Sequence, residues 1–525
     1  VFGDMGGNFG TRNAFSPEFA IMPWAAKRVG RPVKWVADRS ECFLTDYQGR
    51  DLTVSAEMAL SADGDILAMR GRNIMNVGAY SIYFWPLRKG LSMMQGTYKV
   101  PTVHFEGFAV LTNTPPVAVY RSAGRPEAIF VLERLIDMAA QAHGFDRTEL
   151  RRRNLIAADA MPFKTAVDVT YDSGDYEAAM NDALAAADWT GFAARKAESA
   201  ARGLRRGIAV ANYIEVTSGI PRERAELRAL ADGTVELVCG TMSSGQGHET
   251  TFPQVASQWL EVPFANIRYI ANDTDRVSVG GGSHSGRSMR LASIAMSEAV
   301  EDLIGKGKAI AAHAFDTTPG EISYGAGRFA GPGGKTMTLA ETAEAAAKLN
   351  SLPGALSGHL EGIGDITNRV GGYPYGCHVC EVEVDPDTGH VDIVAWTGVD
   401  DVGLAVNPLV LHGQAHGAIA QGLGQALLEN IHYDRDGQLL SGSFMDYAMP
   451  RADNTPPMTT IISEVPASSH PHGIRPGGEG GTTPALACVV NAIVDALADL
   501  GVRHVEMPAT PERVWRAIAA ATARG

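Results

Sequence analysis

Glycine-rich turns punctuate this 525-residue chain in places that constrain its fold more than any other feature. They read "GDMGGNFG" at 3–10, "SSGQGHE" at 243–249, "GGGSHSG" at 280–286, "HGQAHG" at 412–417 and "GGEGG" at 477–481. Glycine lets backbone N–H groups approach a ligand closely, and a helix N-terminus behind the turn adds roughly half a positive charge. Any one of these turns is more commonly a plain helix entry needing positive φ. Several together describe loops of a mixed α and β chain that converge on one ligand. They recur at no fixed period, which argues against a solenoid. None matches a Walker A loop, "GKGK" at 305–308 lacks its spacing, and the dinucleotide fingerprint of a Rossmann unit is missing.

The flanking residues supply the elements. Ser16 as N-cap, Pro17 at the first helical position and Gly30 as terminator predict a helix over 17–29. Alternation around Val235 and Leu237 predicts a strand, and Phe252, Val255, Ala256, Trp259 and Leu260 follow at helical spacing. "HVCEVEV" and "HVDIVAW", joined by "DPDTG", predict a hairpin. After "GGEGG", Thr483 as N-cap and Pro484 at N1 predict a helix with Leu486, Val489, Val490, Ile493 and Leu497 on one face. Residues 1–156 close on a helix from Pro126 through Ala140 and the run "LRRRNLI"; a polar connector follows over 157–175, and a second region spans 176–525. The expectation is an α+β fold of two packed mixed α/β domains.

Composition and lone constellations narrow the function. The net charge of −14 disfavours a nucleic-acid partner, since phosphate binding needs a basic face. The most apolar candidate span, 484–500, contains Asn491, Asp495 and Asp499, so no bilayer-spanning helix is expected. Five scattered cysteines make no disulfide framework and suit a reducing compartment. Cys377 and Cys380, three apart in a strand, point to opposite faces and read as buried small hydrophobes rather than a metal pair. His412 and His416 have ligand spacing on a helix but lack a third ligand, and "GHET" lacks the second histidine of a zincin. The aromatic run "AYSIYFWP" at 79–86 reads as core. Only Val1 and Phe2 precede the first turn, fewer than the five or six residues of a usual strand, which suggests a fragment or a processed or split subunit.

Six motifs in order carry a resemblance that covers nearly the whole chain: "GDMGGNFG", "YRSAGRPEA", "GQGHETT", "GGSHSGRS", "GQAHGAIAQGLG" and "GGEGGTTPAL". The sequence resembles the molybdopterin-binding large subunit of the xanthine dehydrogenase and aldehyde oxidase family, and within it the form II carbon monoxide dehydrogenase-like subunits. That family's large subunit carries a further N-terminal region before the first glycine motif.

The resemblance implies a catalytic subunit of a molybdenum hydroxylase, cytoplasmic, oxidising an aldehyde or N-heteroaromatic carbon with water-derived oxygen. Glu479 matches the active-site base and Arg121 a residue beside the metal and pterin. Gly7, Phe9, Gly10, Gly245, Gln246, Gly247, Ser285, Gly286, Arg287, Ser288, Gln414 and Gly478 match positions that hold the cofactor, a molybdenum–molybdopterin in its cytosine dinucleotide form. No direct protein ligand to the metal is implied. Asn13, Lys89, Ser122, Ala123 and Glu215 fall near substrate-pocket positions. Asn13 stands where xanthine enzymes have a glutamate, Ala123 where they have a purine-stacking phenylalanine, and Ser122 where carbon monoxide dehydrogenases have a copper-holding cysteine. These differences weigh against purine and copper chemistry. No cysteine spacing for an iron–sulfur cluster occurs, so 2Fe–2S and FAD subunits are implied as partners, in a dimer of heterotrimers. Two alternatives stay open: a truncated or split pterin-binding subunit inactive alone, and reductive use of the cofactor as in aromatic acyl-CoA reductases.

Overall fold

The computed structural model describes all residues except 12, 13, 350, 369, 524 and 525. Its centre is a four-stranded sheet in the order Met458–Ser463, Val391–Asp401, Tyr375–Val384, Arg205–Ile214. The hairpin predicted around "DPDTG" is its antiparallel middle pair, and Met458–Ser463 adds a parallel edge. Both faces of this sheet are covered. Ile208, Val210, Cys377 and Val379 pack toward Ala128, Ile129, Leu132 and Ile136 of the helix Arg125–His143. Ala209, Ala211, Cys380 and Val382 pack toward the helix Thr482–Ala496. A strand buried on both sides reads as a continuous apolar run, as "IAVANYI" does. Cys377 and Cys380 thus lie on opposite faces, as the pleat requires.

A second four-stranded sheet, ordered Leu360–Ile366, Glu223–Ala229, Val235–Cys239, Ile267–Ile270, forms a core with the helices His248–Leu260 and Ser288–Phe315. A third sheet, Leu52–Leu60, Ile66–Gly78 and Thr102–Leu111, lies in the N-terminal part. The α+β expectation holds. Among the described residues no helix is long and apolar enough to cross a membrane.

Several local expectations shift. The first helix runs Glu18–Val29 with Pro17 as its cap, because the Ser16 hydroxyl turns to Glu18; Gly30 ends it at φ 64° as expected. The helix predicted over 126–140 extends over Arg125–His143, and "LRRRN" belongs to a separate helix, Arg147–Asn154, capped by Asp146. The stretch read as a connector carries a short hairpin, Phe163–Lys164 with Thr170–Tyr171. The aromatic run at 79–86 is not core: Tyr80, Phe84 and Trp85 are exposed. Thr483 does not cap the helix that follows it. The helix begins at Thr482, whose hydroxyl donates to the Ala418 carbonyl, while the Thr483 hydroxyl goes to Glu215. Nor is that helix apolar on one face alone. Every residue from Thr482 to Val494 is buried, because the central sheet and the helices Arg125–His143 and Pro408–Leu427 surround it.

The helix lies so close to strand Arg205–Ile214 that a Cβ on Gly207 would collide with the Ala492 carbonyl oxygen. Gly207→Ala is expected to destabilise the chain by about 1–3 kcal/mol, the usual cost of overpacking. Urea denaturation of parent and variant checks this; an unchanged midpoint would show that the helix can shift freely.

Candidate functional site

The glycine turns do converge. Phe9 and Gly10, Gly245 and Gln246, Ser285, Gly286 and Ser288, Gln414, Gly478 and Glu479 all line one cavity of about 1340 Å³, together with Lys89, Arg121 and Ala123. A typical small-molecule pocket holds about 300–1,000 Å³, so this cavity has room for an extended cofactor and a substrate. Gly10 has φ 120°, and a Cβ there would run into the Val119 carbonyl. Only glycine lets the first turn cross the segment leading to Arg121 at that distance.

Arg121 is 6% exposed and binds the site together. Its Nε donates to Gly478 O at 2.9 Å, Nη1 to Gln421 Oε1 at 3.0 Å, and Nη2 to Gln414 O at 3.1 Å, while the Phe9 ring centroid lies 5.2 Å from its guanidinium carbon. One side chain therefore joins the first, fourth and fifth glycine turns.

Glu479 sits on the cavity wall with 21% of its side chain exposed. Both carboxylate oxygens are held: Oε1 accepts from the Ser122 N–H at 2.9 Å and Oε2 from Arg125 Nη2 at 2.8 Å. Burial works to raise its pKa, but the Arg125 guanidinium, Lys89, the Ser122 N–H and Arg121 together hold it below the ordinary carboxylate range. The four glycines around Glu479 serve packing more than access. None of the four has positive φ. Added Cβ atoms would strike Leu411 at Gly477, the Tyr213 hydroxyl at Gly480 and the Ala415 carbonyl at Gly481; only Gly478 faces open space. Three of the four let the loop settle on the packing beneath it.

Five positions matched by resemblance lie off the cavity wall. Ser122 is fully buried, and its Oγ donates to Glu215 Oε1 at 2.7 Å. Glu215, 3% exposed, lies beneath the site rather than in the pocket or on the surface, because Ser122, Thr483 and Arg125 surround its carboxylate. Arg287 is fully buried, paired with Glu223 and bonded to the carbonyls of Ile220, Gly282 and Arg222; its role is to bind loops together, with no donor on the cavity wall. Gly247 precedes the helix His248–Leu260 at φ 76°, a helix-entry role. Gly7 is exposed and away from the cavity, packed under the Phe9 ring. Asn13 lies outside the described residues. Sequence reasoning missed Arg125, which ends the "YRSAGR" motif, and Gln421, about two turns beyond Gln414 on the same helix.

His412 and His416 share Thr460 Oγ1, at 2.8 and 3.1 Å. Among the described residues no three His, Cys, Asp or Glu side chains cluster to hold a metal ion. Lys89 donates from Nζ to Ser285 Oγ at 3.0 Å across the cavity. Ser218 Oγ, on the wall, is buried without a protein partner.

Residues 182–456 and 1–155 each match a family model described as a molybdopterin cofactor-binding domain. The chain is 33% identical, over 98% of its length, to the gamma subunit of the 6-hydroxypseudooxynicotine dehydrogenase complex of Paenarthrobacter nicotinovorans, of which it covers 66%. Its structure is similar to a Cu,Mo-CO dehydrogenase (TM-score 0.92, 31% identity, covering 99% of this chain and 68% of that one). It is similar also to quinoline 2-oxidoreductase from Pseudomonas putida 86 (TM-score 0.91, 32% identity, 98% and 68%). The chain thus spans about two thirds of the length of the proteins it resembles.

Burial and the nearby Arg125 charge lower the Lys89 ammonium to about 8, against the pull of Glu479 and Glu215. Reductively ¹³C-methylated chain, with the Lys89 signal assigned by Lys89→Arg, is expected to titrate near that value. Glu479→Gln should lower it further, since an attractive anion is lost. A midpoint of 10 or above would place Lys89 in open solvent.

Proposed function

The chain belongs to the molybdopterin cofactor-binding family, and from that premise we propose that it is the catalytic subunit of a cytoplasmic molybdenum hydroxylase acting on an aldehyde or N-heteroaromatic carbon. The donor set fits such a cofactor. Glycine turns with open faces at Gly245, Gly282 and Gly478, the amides of Gln246 and Gln414, and the hydroxyls of Ser218 and Ser285 can all meet a phosphorylated, polar pterin. When bound, the molybdenum–molybdopterin, in its cytosine dinucleotide form, supplies the two-electron acceptor and the activated water-derived oxygen.

The protein's own part is a proton transfer and the aim of the groups around it. Glu479 is the general base, accepting a proton at a carboxylate oxygen that faces the cavity. Arg121 fixes the Gly478 carbonyl and the Gln414 amide, and these, with the backbone of Phe9 and Gly10, would hold the cofactor. Lys89 and Ala123 face the substrate. Two packed domains, 1–156 and 176–525, joined by 157–175, close the cavity between their loops. Electrons leave through 2Fe–2S and FAD subunits, in a dimer of heterotrimers. The observation that carries this reading is the carboxylate of Glu479, held as an anion on the wall of a cavity built from glycine turns.

Glu479→Gln tests it. The amide keeps size and loop geometry but cannot take the proton, so molybdenum and pterin content should stay near parental while substrate-driven reduction of the metal falls about 10²- to 10⁴-fold. Anaerobic stopped-flow on samples of known metal content makes the comparison. Retention of more than about a tenth of the parental rate would remove Glu479 from the role.

Copper-dependent oxidation of carbon monoxide is a separate matter. Ser122 offers no thiolate, its Oγ is turned to Glu215, and no cysteine lines the cavity. The holoenzyme is expected to contain molybdenum without copper and to leave CO unoxidised. Equimolar copper with CO-dependent dye reduction would contradict this.

A further inference from the structure

Arg125 ties Glu479 to the rest of the molecule. Its guanidinium is 1% exposed and is shared among four groups. Nη2 donates to Glu479 Oε2 at 2.8 Å, Nε to Ser122 O at 2.6 Å and Nη1 to Val216 O at 2.5 Å, while Glu215 Oε1 lies 3.9 Å from Nε. A planar fork committed on so many sides has one orientation. Glu215 is anchored in turn by the Ser122 and Thr483 hydroxyls. Ser122, Ala123 and Gly124 all have positive φ, at 71°, 37° and 90°, and this turn aims the Ser122 N–H at Glu479.

We propose that Arg125 is the positioning residue of the site: clamped by Ser122, Val216 and Glu215, it holds the Glu479 carboxylate as an anion facing the cavity. This rests on the reading of Glu479 as the base and adds what keeps that base ready. The other charged and titratable groups facing Glu479 are Lys89 from the helix Trp85–Leu91, Arg121 from the segment before the turn, Glu215 from the end of its strand, and His284, whose imidazole burial and Arg287 push toward the neutral form, from the loop before Ser288. Lys89 and Arg121 give their hydrogen bonds elsewhere, to Ser285 and to carbonyl and amide oxygens. Arg125 alone among these cations touches the carboxylate.

Two carboxylates sharing one guanidinium take up protons as a coupled pair. Glu215 is pushed up by burial, against the pull of Arg125, with the Glu479 charge adding to the rise; Glu479 is held down. As pH falls, Glu215 protonates first and Glu479 second.

Infrared titration of the purified, cofactor-free chain, with the Glu479 band assigned by its loss in Glu479→Gln, reads both steps without turnover. Arg125→Met should move the Glu479 midpoint upward by at least about one pH unit, a tenfold gain in proton affinity. Arg125→Lys, which keeps the charge, should recover part of that shift. Glu215→Gln should delete the upper step and leave the lower one in place. A Glu479 midpoint unmoved in Arg125→Met, or an upper step that survives Glu215→Gln, would overturn the proposal. Should Arg125→Met not fold, the glutamine variants decide: Glu479→Gln must lower the upper step, because a like charge has gone, and two steps that titrate independently refute the shared guanidinium. Failure in this measurement leaves Glu479 standing as the base, which only turnover of the Glu479→Gln holoenzyme can remove.

Discussion

Taking a guanidinium out of water costs several kcal/mol unless carboxylates and carbonyls replace the water around it, and Arg125 is buried almost completely. Its replacements come from distant parts of the chain: Glu215 and Val216 after one strand, Glu479 from the last glycine turn, and Ser122 from its own turn. That turn is itself strained. Ser122 and Ala123 hold positive φ without being glycine, at about 1–3 kcal/mol each, and such geometry persists only where neighbours hold it. Breaking one partner from a buried ion pair costs about 3–5 kcal/mol, the same order as the strain of the two residues together. The strain and the ion cluster therefore sustain each other, and both are set directly under the cavity.

The helix Thr482–Ala496 makes this possible. It is buried on all sides, so its first turn cannot use water to satisfy its polar groups, and the two threonine hydroxyls there find partners across the chain. Thr482 takes the Ala418 carbonyl and Thr483 takes Glu215. The start of one helix is thereby fixed to the helix Pro408–Leu427, which carries Gln414 and Gln421, and to the carboxylate that steadies Arg125. An exposed helix would have spent Thr483 on its own N-terminus. Burial explains why local capping rules misplaced this start by two residues.

Much of the site was legible because glycine turns and their polar neighbours are local signals. Glu479, Arg121, Gln246, Gln414 and Ser285 are picked out by the resemblance of the motifs around them to a known family, and in the structure they line one cavity. What was hidden depends on where side chains go after the chain has closed. Glu215 looked like a lone glutamate, yet it follows "IAVANYI", a strand buried on both faces, and a carboxylate at the end of such a strand has no route to solvent. Arg287, by contrast, stood inside a motif but spends its donors on carbonyls behind the loop. Arg125 lay four residues beyond Arg121 and outside any pattern that weighs residues singly. Its importance comes from partners separated from it by about 90 and 354 positions.

The charges gathered around Glu479 are three cations, Lys89, Arg121 and Arg125, against two carboxylates, Glu215 and Glu479 itself. Three against two leaves one positive charge in excess when all are ionised, and it falls to the least committed cation. Arg125 is spent on carboxylates and Arg121 on carbonyl and amide oxygens, whereas Lys89 has one neutral hydroxyl partner. Its ammonium is accordingly the easiest of the three to discharge, and burial lowers it to about 8. An anionic group entering beside Lys89 would restore the balance and raise that value, since an opposite charge nearby favours the protonated form. A neutral ligand filling the same space would lower it by removing water. The ionisation of Lys89 therefore distinguishes an anionic from a neutral occupant by the direction in which it moves.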